Sequence, residues 1–175
     1  MKWISGDFRN LNALYVNQLR VMLSAEEQVV RELPNMIIRT TDKELQQAFT
    51  KHLEESEEHI KRLEQILGDE ERENPAADAT GPVKCKAMAS LGTEAEEMIV
   101  DTPDAWVRDV ALIAAAQRVE HYEIASYGAL RQWARLLGEY EMAELLDQTL
   151  KEEAHADHLL GSIADRVNPK AKKAA

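Results

Sequence analysis

Apolar residues recur at spacings of three and four along almost the whole chain, interrupted at only a few Gly and Pro positions. That period places one apolar stripe on each α-helix and is incompatible with the two-residue alternation of a sheet. A chain of 175 residues built this way is one all-α domain with enough apolar surface for a core.

The punctuation gives four long helices. The first runs from about Asp7 to the neighbourhood of Pro34, with Phe8, Leu11, Tyr15, Leu19, Met22, Val29, Val30 and Leu33 on one stripe, and Pro34 should kink or end it. "TDKE", Thr41 to Glu44, has the form of a capping box and starts the second. That helix carries Leu45, Phe49, Leu53, Ile60, Leu63 and Leu67 and stops at Gly68. The stretch "DEERENPAADATGPVK" is charged and broken by Pro and Gly, hence a connection, followed by a short amphipathic segment near Thr93–Val100. Thr102 and Pro103 form an N-cap and first-turn pair for the third helix, which runs to Leu137 and stops at Gly138. The fourth extends from about Glu141 to Val167, so the expected domain is 1–167, with a disordered basic tail at 168–175. Two antiparallel hairpins joined by a long crossover containing a short helix is the ferritin-like arrangement of a four-helix bundle; simpler up-down bundles share the pattern.

The apolar stripes are interrupted by carboxylates. Drawn at about 100° per residue, Glu26 lies in the stripe of the first helix and Glu27 outside it. Glu120 and Glu123 fall within the stripe of the third, and the stripe of the fourth is centred on Glu153, flanked by Glu152 and Asp157. On the second helix His52 and Ser56 lie closest to the stripe, His59 somewhat off it, and Glu55 at its edge. Residues equidistant from the turn of an antiparallel hairpin share one height. Glu26 and Glu55 are equidistant from Thr40–Thr41, and Glu120/Glu123 are level with Glu153 across Leu137–Gly138.

Several carboxylates facing one another inside a bundle repel and lose hydration, at several kcal/mol for each uncompensated buried anion. No Lys or Arg occupies an inward position at this level, Arg131 being two turns away. Two iron ions, or manganese, would supply the missing charge, since carboxylates with an imidazole suit both metals. The expected roles are Glu55 and Glu153 bridging, Glu26 and Glu120 terminal, His52 as nitrogen ligand, and Glu123 and Asp157 as further carboxylates. Glu152 and His155 spell Glu-x-x-His and are the alternative to Glu153 and Asp157, but His155 and His158 lie off the stripe and are read as solvent-facing, as is His121. Tyr127 and the three tryptophans, Trp3, Trp106 and Trp133, are read as packing.

Bulk properties narrow the partners. A formal net charge of −11 disfavours nucleic acid, whose binding rests on clustered Lys and Arg. The one cysteine, Cys85, excludes an internal disulfide framework. No signal-peptide core and no run of 18 apolar residues is present, so no membrane association and a cytoplasmic setting are expected.

"SAEEQ" at Ser24–Gln28, "HLEES" at His52–Ser56, "VRDVALIAAAQRVEHYEIASYGAL" at Val107–Leu130 and "LKEEAHAD" at Leu150–Asp157 resemble the YciE/YciF-like ferritin-like proteins of bacteria over nearly the whole chain. The resemblance implies a ferritin-like bundle, commonly a homodimer, with a rubrerythrin-like di-iron site and an association with stress response. It supports Glu26, His52, Glu55, Glu120, Glu123, Glu153 and Asp157 as metal ligands, and equally Glu152. The sequence departs from it at "EEAHAD", where a lysine-containing "EEK" form is usual, and lacks Glu-x-x-His on the second helix, since Glu58 follows Glu55 by three. The implied activity is that of a dinuclear metal protein reacting with dioxygen or hydrogen peroxide, of ferroxidase or peroxidase type. Iron sequestration, or a non-catalytic helical stress protein with a structural metal, is the alternative.

Overall fold

In the computed structural model the described residues are 8–73 and 83–172, with side chains described except at 70–73. They form five helices: α1 (Leu11–Arg39), α2 (Lys43–Glu73), α3 (Lys86–Asp101), α4 (Ala105–Leu137) and α5 (Tyr140–Ala171). The protein is an all-helical bundle. Hairpins α1–α2 and α4–α5 pack together through α2 on α5 and α1 on α4, while α3 lies against α1 and α4.

The helix ends follow side-chain chemistry more closely than Gly and Pro punctuation. Asn10 caps α1, its Oδ1 accepting the N–H of Ala13 at 2.8 Å. The helix then passes through Pro34 to Arg39. An interior proline costs about 3 kcal/mol, and burial of Leu33 and Met36 on either side offsets it. Asp42, one residue beyond Thr41, caps α2 by accepting the N–H groups of Glu44 and Leu45. Gly68 does not end that helix, because Ile66 and Leu67 keep it docked. The crossover helix α3 is twice the length expected, and Thr102 closes it. The N-cap of α4 is Asp104, which accepts from the N–H groups of Trp106 and Val107 at 2.9 Å. Gly138 ends α4 as expected, with φ 89°, a left-handed conformation natural to glycine.

The expected disordered tail is also corrected for residues 168–172. Helix α5 continues through Pro169 to Ala171, held by buried Val167 and by Lys170, which reaches Asp42 at 3.2 Å and lies 4.0 Å over the Trp106 ring. Residues 173–175, Trp3, the expected start at Asp7 and most of the charged connection lie outside the described residues. Trp106 and Trp133 pack half-buried against the core, and Tyr127 is wholly buried.

The two hairpins are set in register at one end. Asp109 of α4 is buried and accepts the backbone N–H groups of Thr41 and Asp42 at 2.9 and 2.7 Å. Arg166 of α5 donates to both oxygens of Asp42, at 2.6 and 2.8 Å. Every inward carboxylate lies three to five turns from this clamp, roughly 15–25 Å at 1.5 Å per residue, so four helices meet at one level.

Candidate metal centre

Four glutamates and two histidines converge at that level. Glu26, Glu123, Glu153 and His59 are fully buried, Glu120 is 2 % exposed and His52 6 %. Their donor atoms form two groups, each within 4.8 Å: His52, Glu120, Glu123 and Glu153, and Glu26, His59 and Glu153. Glu153 belongs to both.

In the first group His52 Nε2 is 3.5 Å from Glu120 Oε1 and Nδ1 is 3.9 Å from Glu153 Oε2. In the second, His59 Nδ1 lies 3.0 Å from Glu153 Oε1 and 3.3 Å from Glu26 Oε1. Neither approach has the alignment of a full hydrogen bond. The imidazole is oriented from behind, where Nε2 meets Glu152 Oε2 at 2.9 Å. Arg62 in turn grips both Glu152 oxygens, so a carboxylate fixes the ring with Nδ1 facing inward. Tyr127 O–H donates to Glu26 Oε1 at 2.5 Å.

Burial pushes the Glu120 carboxyl well above its ordinary range, with neighbouring Glu153 and Glu26 adding to the shift. Glu123 is raised for the same reasons, burial first and then Glu26 and Glu153. Burial alone would pull His59 down, but Glu153 and Glu26 outweigh it and push the imidazole up to about 11. Glu153 runs the other way. Burial would raise it, and the facing His59 and His52 hold it below its usual value.

The donor set fits metal ions. Glu26 Oε2, both nitrogens of His52, His59 Nδ1, Glu120 Oε2 and both oxygens of Glu123 and of Glu153 are buried without a hydrogen-bond partner. Buried polar atoms are ordinarily satisfied, and a concentration of orphans in one place calls for a ligand. Carboxylate oxygens and imidazole nitrogens are the donors that iron and manganese take. Arg131, two turns away along α4, is engaged with Asp147 at 2.5 Å.

Of the residues singled out in the sequence, Glu26, His52, Glu120, Glu123 and Glu153 are brought together. Glu55 is not: it is half-buried and paired with Lys51 Nζ at 2.6 Å. Asp157 also stands apart, accepting from Gln117 Nε2 at 3.1 Å and lying 3.4 Å from His121. His121, His155 and His158 are exposed. His59, ranked behind His52 in the sequence as lying off the stripe, is brought in as well. Its signal was the polar series His52, Ser56, His59 running into Leu63 and Ile66 at spacings of four and three, all buried. Leu53 and Ile60, half-buried on the flank, widen the apolar stripe on the side away from it.

Fold and site together define an all-helical bundle with a buried histidine–glutamate centre able to hold metal ions. The chain belongs to the family described as "Domain of unknown function (DUF892)", which matches residues 10–172. It is 41% identical over 170 residues to Protein YciF of Escherichia coli (strain K12), covering 97% of this chain and 99% of that one. The crystal structure of the E. coli stress protein YciF is similar with a TM-score of 0.83 at 39% identity, covering 93% of this chain and 99% of that one. YcfI of Rhodopseudomonas palustris is similar with a TM-score of 0.81 at 36% identity, over 91% and 98% of the two chains.

Proposed function

We propose that the protein is a ferritin-like dinuclear metal carboxylate protein, of iron or manganese, that reacts with dioxygen or hydrogen peroxide in stress defence. One observation carries the reading: Glu153 is shared by two separate groups of buried donor atoms, the arrangement a bridging carboxylate requires. His52, Glu120 and Glu123 would hold one ion, and Glu26 and His59 the other. Bound there, the ions would supply the electron chemistry toward an oxygen species or Fe(II).

The chain's own residues have separable tasks. Glu152 and Arg62 hold the His59 ring in one orientation, and Tyr127 fixes one Glu26 oxygen while leaving Oε2 without a partner. Buried Met22, Ala25 and Tyr127, each within a turn of Glu26 or Glu123, belong to the core beside this level. That the E. coli relative is a stress protein supports the physiological part of the reading. A cytoplasmic homodimer is proposed on the YciE/YciF-like resemblance; no described helix is long and apolar enough to cross a membrane.

Protein purified without chelator should carry about two ions per chain, as a dinuclear site requires. Reduced, metal-loaded protein should consume dioxygen or peroxide faster than the same concentration of free ion. A well-folded chain that takes up no metal would overturn the reading.

A further inference from the structure

Two cavities run in to the buried donors from different sides of the bundle. One, of about 570 Å3, opens between α1, α3 and α4 and touches α2 at its inner end; the other, of about 10 Å3, lies between α2 and α5. Of the six converging side chains, His52 and Glu120 line both cavities and the other four line neither. Both are more than nine-tenths buried, and the two His52 nitrogens and Glu120 Oε2 lack a hydrogen-bond partner. His59 is held from behind by Glu152. No hydrogen bond among the described residues holds His52 in that way, so none opposes a turn of its ring toward an arriving ion.

Size and charge separate the two. An ion that keeps six waters occupies roughly 180 Å3, at about 30 Å3 for each water, which the wide cavity admits and the narrow one does not. The surface side of the narrow cavity is also closed by the ion pair of Lys51 with Glu55. On the rim of the wide one stand exposed Glu27, Glu32 and Glu96 against Arg31 and Lys84, and Arg31 lies 4.0 Å from Glu32. Acid exceeds base there, in a chain of net charge −11, which draws cations and turns anions away. Ser24, Gln28 and Thr93 along the walls offer oxygens in exchange for departing waters, so the ion is not stripped in one step. We propose that the wide cavity is the route by which a hydrated divalent cation reaches the centre, drawn in by Glu27, Glu32 and Glu96 and met first by Glu120 and His52. The route rests on the dinuclear reading above, and its test reads the rate of uptake apart from the amount.

The test is stopped-flow uptake of Co(II) by the metal-free full chain, followed by visible absorption, with elemental analysis of the end-point. Glu32→Gln combined with Glu96→Gln, both exposed and outside the centre, leaves Arg31 without its facing carboxylate and should slow uptake about fivefold or more. Ala89→Trp, at the half-buried mouth, should slow it as well, with helical circular dichroism intact. Both variants should reach the wild-type end-point. Glu55→Gln combined with His155→Ala, on the narrow side, should leave the rate unchanged. Raising NaCl from about 10 to about 200 mM should slow the wild type more than the Glu32→Gln/Glu96→Gln variant, because salt screens the rim. Wild-type rates in both wide-cavity variants, or an equal loss of rate on the narrow side, would overturn the route and leave the dinuclear centre standing. A well-folded wild type that takes up no metal would overturn the dinuclear reading and the route with it.

Discussion

Asp109 Oδ2 accepts the backbone N–H of Asp42 at 2.7 Å, and through this contact α4 is locked to the turn between α1 and α2. Oδ1 takes the N–H of Thr41 at 2.9 Å, so one buried carboxylate satisfies two donors that the capping residues leave over. The glutamates of one hairpin face those of the other because this end of the bundle is pinned.

Removing the clamp should therefore be costly. Asp109→Ala leaves the N–H of Asp42 buried without its acceptor, at about 1–3 kcal/mol, and frees the part-buried N–H of Thr41, so a total loss of roughly 1–4 kcal/mol is expected in urea unfolding. A loss below 1 kcal/mol would mean that water replaces the carboxylate.

Metal stoichiometry separates the histidines and glutamates by role. His52→Ala and His59→Ala should each lower the content from about two ions per chain to about one, since each group loses its imidazole. Glu153→Ala, common to both groups, should abolish binding, and Glu55→Ala, whose carboxylate pairs with Lys51, should leave it unchanged. Elemental analysis of the four variants decides the assignment.

Tyr127→Phe removes the one hydroxyl that fixes Glu26 while keeping the ring that fills the core. The metal-free variant should lose about 1–3 kcal/mol, the cost of a buried acceptor without its donor, read from urea unfolding. An unchanged midpoint would show the hydrogen bond to be idle.

Acid should weaken the pinned end through Asp42. Hydrogen bonds from Arg166 hold its carboxyl far below the ordinary range, against the opposing effect of burial, with the N–H of Leu45 and Lys170 assisting. The unfolded chain takes up this proton near its ordinary value of about 3.9, so the folded state binds fewer protons. The stabilisation is thus fully present above about pH 4 and is lost as pH falls below it. Unfolding midpoints measured between about pH 6 and pH 3 should fall more steeply for the wild type than for Asp42→Asn. Parallel curves would remove Asp42 from the account.

Periodicity alone determined that the chain is helical, that it forms two hairpins and that Glu26, Glu120, Glu123 and Glu153 face inward, because the face of a residue is a property of one helix and its 3.6-residue repeat. It could not decide between neighbours on a broad stripe. His52, His59 and Glu55 at an edge differ by less than the width of an apolar face, and packing of α2 on α5 goes with both histidines turned in and Glu55 turned out to Lys51. Helices run on past Pro34, Gly68 and Pro169 for a related reason: a local break signal of a few kcal/mol is outweighed where flanking residues such as Met36, Ile66 and Val167 are buried against other helices. The common height of the two hairpins depended on the tertiary structure entirely. It rests on contacts between residues far apart in the chain, Asp109 with Asp42 and Arg166 with Asp42, which no repeat within a single helix can encode.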